Sequence, residues 1–181
     1  MLIAREKKKE NIAEYILYMW QIEDMIRASN MDLQTIEQNI IAEFDQPVEV
    51  KAEMRQWYQD LIAAMRRQRL TERGHLAETN EVVVELGFLH RSLANVIRDP
   101  DYQAIFRKAL PYIEDYQRVA NHEGNEIEAC LEALYRKLLL RLGGRTITPE
   151  TEEAFDQFRL VLAYLAKKYN EMKSGQMPGL N

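Results

Sequence analysis

Asn11-Ile-Ala-Glu-Tyr-Ile-Leu-Tyr-Met-Trp-Gln-Ile-Glu-Asp-Met-Ile-Arg-Ala28 decides the fold class of this chain. At 3.6 residues per turn, Ile12, Tyr15, Ile16, Met19, Ile22 and Ile26 line one side of a helix. Glu23 falls among them, one turn after Met19. A carboxylate on a burying face needs a partner or a proton, which makes Glu23 the strongest pointer to anything beyond packing. The helical period recurs along the chain. Even Val82-Val83-Val84, the best strand signal, sits inside a helical stretch.

Outward from this segment, the spacing predicts a first helix from about Ala4 to Ala28. Asp32 then caps a short second helix carrying Leu33, Ile36, Ile40 and Phe44. Asp45-Gln46-Pro47 breaks the chain before a third helix, whose stripe is Val50, Met54, Trp57, Leu61 and Met65 and which continues to about Leu70. Beyond Gly74, Leu76, Thr79, Val83, Leu86, His90, Leu93 and Ile97 step by three and four. Asp99-Pro100 opens the next segment, in which apolar spacing persists from Ile105 to Leu138 across Pro111. An unbroken helix from Pro100 to Leu142 would be about 64 Å long, well beyond its neighbours. Proline lacks the amide donor, so a break near Ala109 and a long helix after Pro111 are expected. Gly143-Gly144 ends that helix. Thr148-Pro149-Glu150 starts the last one, with Phe155, Phe158, Leu162, Leu165, Tyr169 and Met172 as its stripe. The expectation is an all-α protein: an antiparallel up-down bundle of five to six amphipathic helices. A single domain over residues 1–173 and a flexible tail over 174–181 complete it.

Composition narrows the function classes. The chain has 181 residues, 46 % apolar and 29 % charged, which suits one packed domain and argues against disorder. A net charge of −5 disfavours a general polyanion binder. One cysteine, Cys130, leaves no intrachain disulfide and fits a reducing compartment. The opening residues lack a secretory signal. The longest late apolar run, Val161 to Ala166, is far short of the ~20 residues of a membrane span. A cytoplasmic protein without membrane contact is expected.

Glu23 and His90 both lie on apolar stripes. Facing each other they would form a buried pair or one corner of a metal site, with Tyr15, Tyr116 and Tyr169 as hydroxyl partners. The plainer alternative makes His90 a hydrogen-bonded core histidine and sends Glu23 to a helix end or to solvent. Spacing alone does not show that the two meet. Glu-x-x-His occurs once, at Glu72-Arg-Gly-His75 in a loop, whereas di-iron bundles need it twice. The other histidines and Cys130 show no ligand spacing, so no metal and no cofactor are expected. His122 and Glu126 read as a surface pair one turn apart, and Cys130 as an inert thiol.

On the third helix Lys51, Arg55, Arg66 and Arg69 share a flank with Tyr58 and Ile62 between them and Arg73 beyond. Arginines interleaved with an aromatic suit phosphates and stacked bases. Glu53, Asp60 and the acidic chain weigh against nucleic acid. Trp20, Trp57, Tyr18 and Tyr58 lie at stripe edges and read as packing residues. Leu138, Leu139, Leu140 and Leu142 are apolar around more than half a helix, which calls for a second neighbour, most economically from another subunit.

Asn11-Ile-Ala-Glu-Tyr-Ile-Leu-Tyr-Met-Trp-Gln-Ile-Glu-Asp24 and, more weakly, Glu81 to His90 resemble an uncharacterised Bacteroidetes family of about 180-residue helical proteins, catalogued as a domain of unknown function. The resemblance implies a bacterial cytoplasmic protein and transfers no activity, cofactor or catalytic residue. The leading expectation is therefore a homodimeric helical interaction or scaffold protein without catalytic activity, binding its own copy or another helical protein. Second stands a small-ligand or metal-binding bundle, enzymatic or not, around Glu23, His90, Tyr15 and Tyr116. Third stands nucleic-acid binding through Arg55, Arg66 and Arg69.

Overall fold

Helices make up the regular structure of residues 2–176, the part that the computed structural model describes. In chain order these are α1 (Leu2–Glu10), α2 (Ile12–Ala28), α3 (Leu33–Ile36), a first π turn (Glu37–Ile41), α4 (Val48–Arg67), α5 (Ala77–Arg91), a second π turn (Ser92–Val96), α6 (Pro100–Ala120), α7 (Glu126–Leu142) and α8 (Pro149–Lys173). No strand occurs among the described residues. Of the expected tail over 174–181, only Ser174–Gln176 are described, in a turn; residues 177–181 lie outside the described part.

Two compact units divide the chain. One holds Tyr18–Glu81 with the residues up to Glu6; the other holds Lys7–Leu17 and the chain from Val82 onward. In the first, α3, the first π turn and α4 pack together around Ile36, Ile41, Met54, Tyr58, Ile62 and Met65. In the second, α6, α7 and α8 contact one another pairwise, with Ala109, Ile113, Ile127, Leu131, Phe158 and Leu165 inside. Each large apolar side chain buried this way contributes roughly 1.5–3 kcal/mol before entropy is counted.

The caps stand where the sequence places them. Asp32 accepts from the Gln34 and Thr35 amides, Asp99 from Tyr102 and Thr148 from Thr151. Each satisfies a backbone donor that the first helical turn leaves open. The stripe of α2 is buried throughout, Glu23 included.

Five expectations need correction. The first helix is two helices meeting at Asn11. The Asn11 side chain accepts from the Ala13 and Glu14 amides and so starts α2 as a cap would. The stripe of the second helix slips by one, because the π turn puts the next inward residue five positions after Ile36, at Ile41 rather than Ile40. The second π turn likewise carries Ile97 off its stripe, and it is 37 % exposed. On α4 the central inward row is Met54, Tyr58 and Ile62, leaving Trp57 and Leu61 at the edges.

The largest correction concerns Pro111. Helix α6 runs straight through it to Ala120, and the break falls at Asn121, whose φ of 50° is left-handed. Pro111 is exposed, so the carbonyl it cannot bond faces outward. Asn121 ends α6 and Asn125 caps α7 through the Ile127 and Glu128 amides, signals that helical periodicity does not register. Pro111→Ala is accordingly expected to restore one helical hydrogen bond at an outward position and to raise stability by about 1 kcal/mol. Urea titration of the two proteins checks the sign.

Candidate functional site

Glu23 is fully buried, and its carboxylate is met by donors from one direction along the chain. The His75 Nδ1 and Oε2 share a hydrogen bond of 2.7 Å, and the Leu76 amide donates to Oε1 at 3.2 Å. The Arg27 guanidinium lies 4.0 Å away, one helical turn on. Arg27 also donates to the carbonyls of Leu70 and Gly74. Trp20 stacks on the His75 ring at 4.3 Å between centroids. Three residues spaced along α2 thus hold the loop between α4 and α5. A buried carboxylate hydrogen-bonded in this way is a structural clasp inside the first unit.

His90 belongs to a separate network in the second unit. Its Nδ1 and the Tyr102 hydroxyl share a 2.6 Å hydrogen bond, with the Phe106 ring at 4.6 Å. Burial pushes the imidazole pKa below its ordinary value, more than Glu126 raises it, and Arg91 adds to the fall. Burial also pushes the Tyr102 phenol up. The Tyr102 amide bonds to Asp99, which takes the Tyr164 hydroxyl on both oxygens at 2.9 and 3.0 Å. Burial alone would raise Asp99, but these donors and Lys168 outweigh it and hold the carboxyl below the usual range. The histidine is therefore a buried, hydrogen-bonded core residue whose surroundings favour the uncharged ring, in line with the plainer reading of the sequence.

The other candidates scatter. Tyr15 is buried under the Lys8 ammonium, Tyr116 sits against Phe158 and Arg136, and Tyr169 donates to Glu85. Glu23 meets His75 and His90 meets Tyr102, so each has a partner other than the one considered for it. His122 lies in the α6–α7 turn and pairs with Glu132 at 2.5 Å rather than with Glu126 on one helix. Cys130 is wholly buried, and burial raises its pKa. Among the described residues no three His, Cys, Asp or Glu side chains converge as metal ligands would.

The basic flank of α4 loses its aromatic, since Tyr58 and Ile62 point inward. Arg55 pairs with Glu37, and Arg66 donates to the Met31 carbonyl. Arg69, past the helix end, has a left-handed φ of 59°. At the end of α7, Leu138 is half-buried while Leu139, Leu140 and Leu142 are 44, 42 and 65 % exposed. Lys137 beside them is buried, with its ammonium on Glu152 and over the Phe155 ring.

Sequence reasoning missed Tyr102 and Lys137; it reads Asp99 only as a helix cap and His75 only within Glu72-Arg-Gly-His75. Besides that spacing, the signal that could have found His75 is its place next to Leu76, where the next apolar stripe begins. A family model described as a domain of unknown function (DUF4924) matches residues 1–176. No curated protein and no solved structure matches the chain.

Proposed function

The chain belongs to the DUF4924 family, and from that premise we propose that it is a helical interaction protein that self-associates through the end of α7 and performs no catalysis. The observation that carries this reading is the exposure of Leu139, Leu140 and Leu142 together on the last turns of one helix. Single exposed leucines need no explanation, but three within four residues form a patch. Exposed Arg141 and Arg145 flank it, and exposed Glu150 and Glu153 follow at the start of α8. Charges of both signs around an apolar centre suit a two-fold contact, in which the basic residues of each copy meet the acidic residues of the other. In this reading α6, α7 and α8 pack as an antiparallel up-down bundle, and the protein works in the bacterial cytoplasm. The internal partners of Glu23 and His90 favour this role over a ligand pocket built on them.

Sedimentation of the wild type is expected to give a dimer, and Leu139→Glu or Leu140→Glu to dissociate it. One unpaired charge buried at the contact, worth about 3 kcal/mol, raises the dissociation constant about a hundredfold. Both positions are exposed in the single chain, so helicity should stay unchanged. A monomeric wild type, or variants that associate as before, would refute the reading.

A further inference from the structure

We propose that the cleft between the first π turn and α4 binds an amphiphilic carboxylate, with its head on Lys51 and Arg55 and its chain over Ile41, Ala42, Val48 and Ala52. The cleft measures about 400 Å³. That lies inside the roughly 300–1,000 Å³ range of small-molecule sites. Its shape follows from the sequence. The π turn admits one extra residue, which swings Ile41 inward as a floor, and Ala42 and Ala52 leave the space open where larger side chains would fill it. Val48 in the lining is 79 % exposed, a large apolar side chain left in water at a partly apolar cleft.

Charge decides the occupant. Lys51 and Arg55 stand one helical turn apart on the same side of α4, both lining the cleft. Lys51 Nζ donates to the Ala42 carbonyl at 3.0 Å and keeps two of its three donors. Arg55 donates through Nε to Glu37 at 3.0 Å, which leaves the two Nη groups at the end of the fork. Glu37 is the one acid in the lining, against two cations. An anionic head with a hydrocarbon tail meets both halves of this surface. A nucleic acid would want the aromatic between the basic residues, and Tyr58 is buried instead.

Octanoate is the probe, titrated calorimetrically into the full chain, with acetate and octanol as arms that lack the chain and the charge. The expected result is saturable one-to-one binding of octanoate, no binding of acetate, and weaker binding of octanol. Ala52→Trp, a substitution at an exposed position that fills the cleft, should abolish binding while leaving helicity intact. The Lys51→Glu, Arg55→Glu double variant should weaken it at least about tenfold, the worth of one charge-assisted contact. Absence of saturable octanoate binding would overturn the proposal, as would binding unchanged in Ala52→Trp. So would retention of single-stranded RNA by the wild type that the double charge reversal removes, since the flank would then serve a polyanion.

Discussion

Replacing Glu23 with Ala is expected to lower the free energy of unfolding by about 3 kcal/mol, the scale of breaking a buried, hydrogen-bonded charge pair. The substitution strips the acceptor from the His75 ring and from the Leu76 amide, and opens a void in a place with no exposed surface. Leu76 is itself buried, so its amide cannot simply turn to water. Arg27 keeps its bonds to the Leu70 and Gly74 carbonyls but loses a neighbouring countercharge. In a chain of this length about 3 kcal/mol corresponds to roughly 6–12 °C in Tm. Glu23→Gln preserves shape and one acceptor, so its loss should be smaller. His75→Ala should cost less than Glu23→Ala, because the His75 side chain is 30 % exposed and water reaches part of the site. Hydrogen exchange locates the effect: in Glu23→Ala the amides of residues 68–76 should exchange faster than those of α8. A Glu23→Ala protein as stable as the wild type would show that the clasp holds nothing.

The same residue shows what can be read from one sequence. Periodicity alone placed Glu23 inside, because every neighbour on its stripe is apolar and the helix has one buried face. It could not name His75, which arrives from a loop 52 residues away where no period operates. His90 was legible in the same degree: inward by spacing, its partner Tyr102 unseen across the second π turn. Both π turns defeated counting by threes and fours, since one inserted residue rotates everything after it. Pro111 misled for a different reason. Its cost depends on which way the unpaired carbonyl faces, a tertiary fact, whereas the true break at Asn121 rests on a left-handed backbone that asparagine tolerates. The flank of α4 was misjudged by one residue, enough to move Tyr58 from a surface to the core. Caps, by contrast, are local chemistry, and Asp32, Asp99 and Thr148 were all readable.

Acidification from pH 7 to pH 5 is expected to destabilise the wild type by up to about 2 kcal/mol more than His90→Gln, the limit of one proton over the 1.5 pH units below 6.5. The imidazole is 6 % exposed and its folded pKa lies below the ordinary 6.5, mainly because burial disfavours the charged ring. Glu126 opposes that fall and Arg91 adds to it, while Tyr102 shares the hydrogen bond. The unfolded chain therefore takes up this proton first as pH drops. Between the two values the unfolded state holds more protons, so stability rises with pH in that window. Above 6.5 both states are neutral and the contribution is complete; it is lost as pH falls from 6.5 through the folded value. Glutamine at position 90 keeps a hydrogen-bonding group for Tyr102 and does not titrate. His75 and His122 are present in both proteins and cancel in the difference. Asp99 and Glu85 are held below the ordinary carboxylate range in both proteins, so the losses they bring at the acid edge of the window cancel in the difference as well. Urea midpoints at several pH values give the two curves. Parallel curves between pH 7 and 5 would mean that the folded imidazole protonates as readily as the unfolded one, and the buried, neutral His90 would have to be given up.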